Sequence, residues 1–245
     1  MTQTLDFDAL SIACAMADAA RGETLSHFRA LTAVDNKETG TDYDPVTEGD
    51  RAAERAMRTI LADLRPQDGV HGEEYGVTEG TSGWTWVLDP IDGTRAFVAG
   101  LPSWTTLIGL VDEEGNAVAG LIDQPVLDER YLGAPNGAWL EQDGARTPLN
   151  VSATTDLRKA VISTTDPFIM TPPEQGAWTH LRATARIVRY GLDAYAYARL
   201  AAGTIDLVAE TGLAPYDAAA LIPIVRGAGG LACDWRGNPA KPGGQ

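Results

Sequence analysis

The sequence predicts a mixed α+β / α/β fold built on two sheets of different character. Over residues 105–151, short apolar runs are joined by tight polar turns at Asp112-Glu113-Glu114-Gly115-Asn116 and Gln142-Asp143-Gly144, the pattern of an antiparallel meander. After Asp156, strand and helix patterns alternate instead, which signals a second, mainly parallel sheet with helices on its faces. The 245 residues suffice for one compact unit made of two tightly joined halves, 1–153 and 154–245.

The elements follow in order. Residues 8–28 read as a helix whose Leu10, Ala13, Met16, Ala17 and Ala20 form one face of mostly small side chains. Residues 38–44 are rich in turn formers and read as a loop. Thr47 opens a second helix with Ala53, Ala56, Met57, Ile60, Leu61 and Leu64 at helical spacing, and Thr47 with Asp50 is a capping pair by composition. His71-Gly72-Glu73-Glu74-Tyr75-Gly76 reads as a loop, followed by a strand over 84–88. The meander takes 105–111, 117–122, 131–133, 137–140 and 147–151. The second half gives strands at 161–164, 185–190, 205–209 and 231–234, and helices at 174–184, 194–202 and 217–226.

Charge narrows the partners. Nineteen Lys and Arg against 34 Asp and Glu leave a net charge of −15, which argues against nucleic acid or an anionic membrane as partner. It also means that a phosphorylated ligand needs local cations. No apolar run reaches membrane-spanning length and the first ten residues carry no export signal, so the expected location is cytoplasmic. Cys14 and Cys233 are expected as buried free thiols, and His27, His71 and His180 lack zinc-ligand spacing.

The most informative segment is Trp86-Val87-Leu88-Asp89-Pro90-Ile91-Asp92-Gly93-Thr94. An apolar β run ends on an aspartate, and Pro90 keeps Asp89 out of helix. Asp92 follows three residues on, Gly93 permits close backbone approach, and Thr94 can cap a short helix starting near Arg95. Two carboxylates followed by free N–H groups suit a hard cation and a phosphate together. Asp217, in Pro215-Tyr216-Asp217, is placed as the N-cap of an apolar helix.

Taken jointly, Gly72-Glu73-Glu74, Asp89-Pro90-Ile91-Asp92-Gly93-Thr94, Tyr216-Asp217-x-Ala219-Ala220 with Gly227-Ala228-Gly229-Gly230, and Val46-Thr47-x-x-Asp50 resemble the inositol-monophosphatase family of metal-dependent sugar-phosphate phosphatases. The resemblance spans nearly the whole chain and implies a layered αβαβα sandwich. It implies two or three Mg²⁺ ions held by Glu73, Asp89, the Ile91 carbonyl, Asp92 and Asp217, with Glu74 assisting through a further ion. Thr94, hydrogen-bonded to Asp50, is expected to orient and deprotonate the attacking water, with Glu73 also at the catalytic centre. Gly93 and Thr94 N–H groups are expected to cradle the phosphoryl oxygens.

The text around Asp35-Asn36-Lys37, Asp123 to Arg130 and Arg189 to Tyr197 is similar to the histidinol-phosphate phosphatase branch. By that likeness Glu210 and Asp193 face the leaving alcohol, where two acids suit an ammonium group, although Asp193 also reads as a helix N-cap. Arg189 is expected to contact phosphate or to pair with a neighbouring acid. The resemblance implies a small phosphate ester as substrate, L-histidinol phosphate, with myo-inositol 1-phosphate or a related sugar phosphate as alternative, and a homodimer. The family pattern continues past the Asp-Trp-x-Gly stretch with a further strand and helix, whereas this sequence stops at Gln245.

Overall fold

Small residues let the first two helices approach closely. In the structure, a computed structural model that describes residues 8–30, 34–36 and 45–243, α1 (Ala9–His27) buries Ala9, Ala13, Met16, Ala17 and Ala20 and packs mainly on α2 (Glu48–Leu64). The loop expected over 38–44 lies outside the described residues. A short antiparallel pair, β1 (Val34–Asn36) and β2 (Pro45–Thr47), precedes α2. Thr47 caps α2, accepting the Gly49 N–H at 3.1 Å, while Asp50 accepts the Thr47 N–H at 2.8 Å.

The central sheet has eight strands. They are β3 (Gly69–Gly72), β4 (Gly76–Thr78), β5 (Thr85–Asp92), β6 (Thr105–Val111), β7 (Ala117–Gln124), β8 (Glu129–Ala134), β9 (Gly137–Gln142) and β10 (Ala145–Pro148). Their order is β10-β9-β8-β7-β6-β5-β3-β4, antiparallel except between β3 and β5. Strand alternation sorts the two faces. Trp86, Leu88, Ile108, Leu110, Leu121 and Leu132 join the α1–α2 core, while Leu107, Ile122 and Tyr131 point to the other side.

On that other side three glycines lie abreast, Gly109 opposite Gly120 and Gly120 opposite Gly133. The Ala219–Ala220 link between α6 (Pro215–Ala218) and α7 (Leu221–Gly227), with the first turn of α7, rests its backbone on this stripe. A Cβ on Gly120 would stand 2.1 Å from the Ala220 carbonyl oxygen, and one on Gly133 2.4 Å from Ile224 Cα. No side chain fits there.

The second sheet has three parallel strands in the order β12 (Ile187–Tyr190), β11 (Val161–Thr164), β13 (Leu207–Val208). Its outer face is covered by α4 (Pro172–Thr184) through Trp178 and Leu181. Helix α5 (Tyr195–Ala201) packs between β13 and α7. The layers therefore run α1–α2, large sheet, α5–α7, small sheet, α4, the αβαβα sandwich expected. No helix among the described residues is long and apolar enough to cross a membrane.

Five local expectations need correction. Residues 217–226 are two helices, because Pro223 has no N–H to give the Ala219 carbonyl and the ladder breaks there. Residues 231–234 are not a strand: Asp234 accepts the N–H groups of Arg236 and Asn238, each at 2.8 Å, and winds the chain into a turn. Leu231 is 92% exposed, and Cys233 is exposed rather than buried, joined to Pro239 by a lone bridge. The last strand ends at Pro148, and although Leu149 N–H still bonds to the Ala138 carbonyl, Val151 N–H turns to the Ala228 carbonyl. His71 and Gly72 lie in β3, and a tight hairpin replaces the open loop.

Candidate metal centre and active site

Strand β5 carries the first acid by simple alternation. Trp86 and Leu88 occupy the α1–α2 face, so Asp89 projects to the side of α6, where it is 2% exposed. Beyond it the ladder to β6 slips between Asp89 and Asp92, as Pro90 cannot donate and its carbonyl accepts Thr106 Oγ1 at 2.7 Å. Ile91 turns instead into a small aromatic cluster with Phe97 and Trp104. The slip re-aims Asp92 to the same side as Asp89.

Asp92, half-buried, accepts the Ala194 N–H at 2.8 Å and Thr105 Oγ1 at 3.3 Å. Gly93 adopts φ +78°, a left-handed conformation, and it rather than Thr94 is the N-cap of α3 (Thr94–Val98). The Thr94 hydroxyl donates to the Ile91 carbonyl at 3.0 Å. Asp50 Oδ2 meanwhile accepts Thr47 N and Oγ1, the latter at 2.6 Å. The Thr94–Asp50 hydrogen bond expected from the resemblance is thus replaced by two local ones.

Asp217 arrives from the opposite layer on α6. It stands in the first turn rather than at the cap, and accepts the Ala214 N–H at 2.7 Å. Asp89, Asp92 and Asp217 each offer an oxygen within 4.8 Å of the others. Ionised carboxylates at that separation repel by about 3 kcal/mol per pair at an effective dielectric near 20. Burial first, then the charges of Glu73, Asp92 and Asp217, holds the Asp89 carboxyl well above its usual range. Asp92 is raised as well, by burial, then Asp193 and Asp217, against the opposing Ala194 N–H.

Asp89 Oδ1 is buried with no hydrogen-bond donor among the described residues. A buried acceptor left in this way, ringed by carboxylates, fits a hard divalent cation with oxygen ligands. Glu73, at the tip of the β3–β4 hairpin, contributes its charge to the same group.

A second pair of acids borders this cluster. Asp193 sits at φ +48°, and a Cβ built on Gly93 would stand 3.0 Å from its Oδ2. Burial raises its carboxyl, opposed by the charge of Arg95. Asp193 precedes α5 but is not its cap, which is Ala194. Glu210 accepts Thr165 N at 2.7 Å and Thr165 Oγ1 at 3.0 Å, yet burial lifts its carboxyl to about 7. The Tyr197 phenol lies near both groups, raised by burial and by Glu210, Asp92 and Asp217, and so stays neutral.

Arg189 is exposed on the outer strand β12 with no ion pair among the described residues, so the acid partner considered for it is not found. Sequence reading missed the Ala194 N–H, Tyr197, Arg95 and the glycine stripe. Only the stripe left a signal, glycines that recur on successive strands.

An acid cluster at the end of a central strand, roofed by a helix from the next layer, is a group of carboxylates that could hold a metal ion, as in a metal-dependent class of protein. Comparison with known proteins gives that class its family. Residues 8–244 match the model of the inositol monophosphatase family, and the chain belongs to it, which places it among phosphoric monoester hydrolases. A histidinol-phosphatase of Streptomyces coelicolor is 37% identical over 97% of this chain and 90% of its own length. "Bifunctional phosphatase IMPL2, chloroplastic" of Arabidopsis thaliana is 39% identical over 91% of this chain, which spans 63% of that relative's length. A solved inositol monophosphatase structure from Zymomonas mobilis superposes with a TM-score of 0.84 at 38% identity, covering 99% of this chain and 91% of that one.

Proposed function

We propose that this chain hydrolyses L-histidinol phosphate to L-histidinol and phosphate, using Mg²⁺ held by Glu73, Asp89, the Ile91 carbonyl, Asp92 and Asp217. The observation that carries the choice of substrate is the second acidic pair, Asp193 and Glu210, at the rim of the metal cluster. An alcohol bearing an ammonium group gains charge-assisted contacts at such a rim, where the hydroxyls of a neutral polyol gain only weaker, uncharged-donor hydrogen bonds. The likeness to histidinol-phosphatases supports the same reading. The likeness to the inositol monophosphatase of Zymomonas mobilis favours the alternative, a myo-inositol phosphate.

Bound divalent cations would neutralise the clustered carboxylates and the ester phosphate and acidify the attacking water. The protein's own groups supply the rest. In the phosphate-bound state Thr94 Oγ1 turns from the Ile91 carbonyl toward Asp50, whose carboxylate then takes the water proton through the hydroxyl. Gly93 and Thr94 N–H groups hold phosphoryl oxygens while the water oxygen bonds to phosphorus and the P–O ester bond breaks. The departing alkoxide leaves on the side of Asp193, Glu210 and Tyr197 and takes its proton from a solvent water, and the hydroxide left is neutralised by the proton that Asp50 gives up to solvent.

Phosphate release from histidinol phosphate and from inositol 1-phosphate, each with and without Mg²⁺, tests both parts. The expected result is Mg²⁺-dependent turnover with kcat/KM at least tenfold higher for the cationic ester, about 1.4 kcal/mol of discrimination. A preference for the inositol ester would overturn the substrate assignment.

A further inference from the structure

Helix α2 buries two acids one turn apart, Asp50 and Glu54, which are 1% and 0% exposed. Asp50 belongs to the reaction centre just described. Glu54 does not, and a carboxylate so buried must be fully partnered. Its Oε2 accepts the Glu74 N–H at 2.7 Å and its Oε1 the Tyr75 N–H at 3.2 Å. Those are the two amides that immediately follow Glu73.

Arg58 completes the grip. Its Nε donates to Glu54 Oε1 at 2.7 Å and its other nitrogens reach the Gly76 carbonyl at 2.6 Å and Thr78 Oγ1 at 3.0 Å. The hairpin presses back on the carboxylate, since a Cβ on Gly72 would stand 1.9 Å from Glu54 Oε1. Gly72 does not have positive φ, so contact with Glu54, not backbone conformation, is what excludes a side chain there. One rigid helix face therefore sets both Asp50 and the hairpin tip.

We propose that Glu54 is a positioning residue for the divalent cation: by binding the Glu74 and Tyr75 amides it fixes the backbone from which Glu73 reaches the Asp89 group. This rests on Glu73 being a metal ligand. Groups that orient ligands in this way change metal affinity by roughly 10–100-fold when removed.

The test is Mg²⁺ binding by calorimetry, with Mg²⁺-dependent turnover beside it, on the full-length chain. Glu54→Gln places an N–H₂ against a backbone N–H. It is expected to weaken Mg²⁺ binding at least tenfold, keep kcat at saturating Mg²⁺ within about threefold, and speed amide exchange at Glu74 and Tyr75. Gly72→Ala, which pushes the carboxylate away, gives the same split and serves if Glu54→Gln does not fold. Effects of the pair combine less than additively. Met57→Ala, in the α1–α2 core of the same helix, lowers Tm without changing Mg²⁺ affinity. Unchanged Mg²⁺ affinity in both Glu54→Gln and Gly72→Ala, while Glu73→Gln loses it, overturns the proposal. Unchanged affinity in Glu73→Gln as well overturns the underlying assignment of Glu73 instead.

Discussion

The large sheet and the small sheet bring acids to one cleft by opposite means. Asp89 and Asp92 sit on β5, among the best-packed strands, with Trp86 and Leu88 anchoring its other face. Asp193 and Glu210 come from turns beside β12 and β13, strands of four and two residues. Both pairs give up solvation, but the second is reached by loops that can change without disturbing the large-sheet core. On the proposed reading, cation binding is tied to a strand buried on both faces, and choice of alcohol to turns beside two short strands.

The sharpest break of that contrast is Asp92→Asn. It is expected to cut kcat/KM by about 10³-fold or more, since a charged ligand and the Ala194 contact are both altered. Stability without Mg²⁺ should stay level or rise slightly, because a repelling charge leaves the cluster. Thermal melting beside turnover reads both; a lost fold would mean that Asp92 is structural first.

Gly120→Ala probes the rigid side. Its methyl would stand 2.1 Å from the Ala220 carbonyl oxygen, with only backbone to yield. Overpacking of this kind costs about 3 kcal/mol, or a Tm loss of about 10 °C. Thermal melting checks it, and an unchanged Tm would show that the link between α6 and α7 does not rest on the stripe.

The pH dependence of metal stabilisation follows from the raised acids. Asp89 and Asp92 titrate above 3.8 in the folded chain, so above that pH the folded state without metal binds more protons than the unfolded one. Its stability therefore falls as pH rises until these groups ionise. Divalent cations need the ionised form, so the Tm gain on adding Mg²⁺ should grow from pH 5 to pH 8. A gain that shrinks over this range would place the cation elsewhere.

Smaller effects belong to the loop side. Asp193→Ala should lower the preference for the cationic ester by about tenfold while leaving Mg²⁺ dependence alone. Glu210 titrates at about 7, so KM for that ester should fall as pH rises through 7 and the carboxyl gains its charge. Glu210→Gln should flatten this by a few-fold. Equal profiles for the two proteins would remove Glu210 from the rim.

The same division governs what the sequence disclosed. The Asp89 to Thr94 segment was legible because apolar alternation, a proline and a glycine follow in an order with few structural solutions. The parallel β3–β5 pairing was not, since short strands carry no mark of their partners. Asp234 misled because an aspartate that ties its own turn looks, beside Leu231, like the end of a strand. Glu54 was visible only as a polar residue among helical ones; its spacing of four from Asp50 gains meaning once the hairpin lies against α2.

The central claim is that Glu73, Asp89, Asp92 and Asp217 converge to hold divalent ions beside a phosphate. Anomalous diffraction from crystals soaked in Mn²⁺ and inorganic phosphate tests it most directly. Peaks about 2.1 Å from these carboxylate oxygens, with phosphate bridging toward Gly93 and Thr94, are the expected result. Manganese that gathers elsewhere, with these four side chains turned apart, would contradict it.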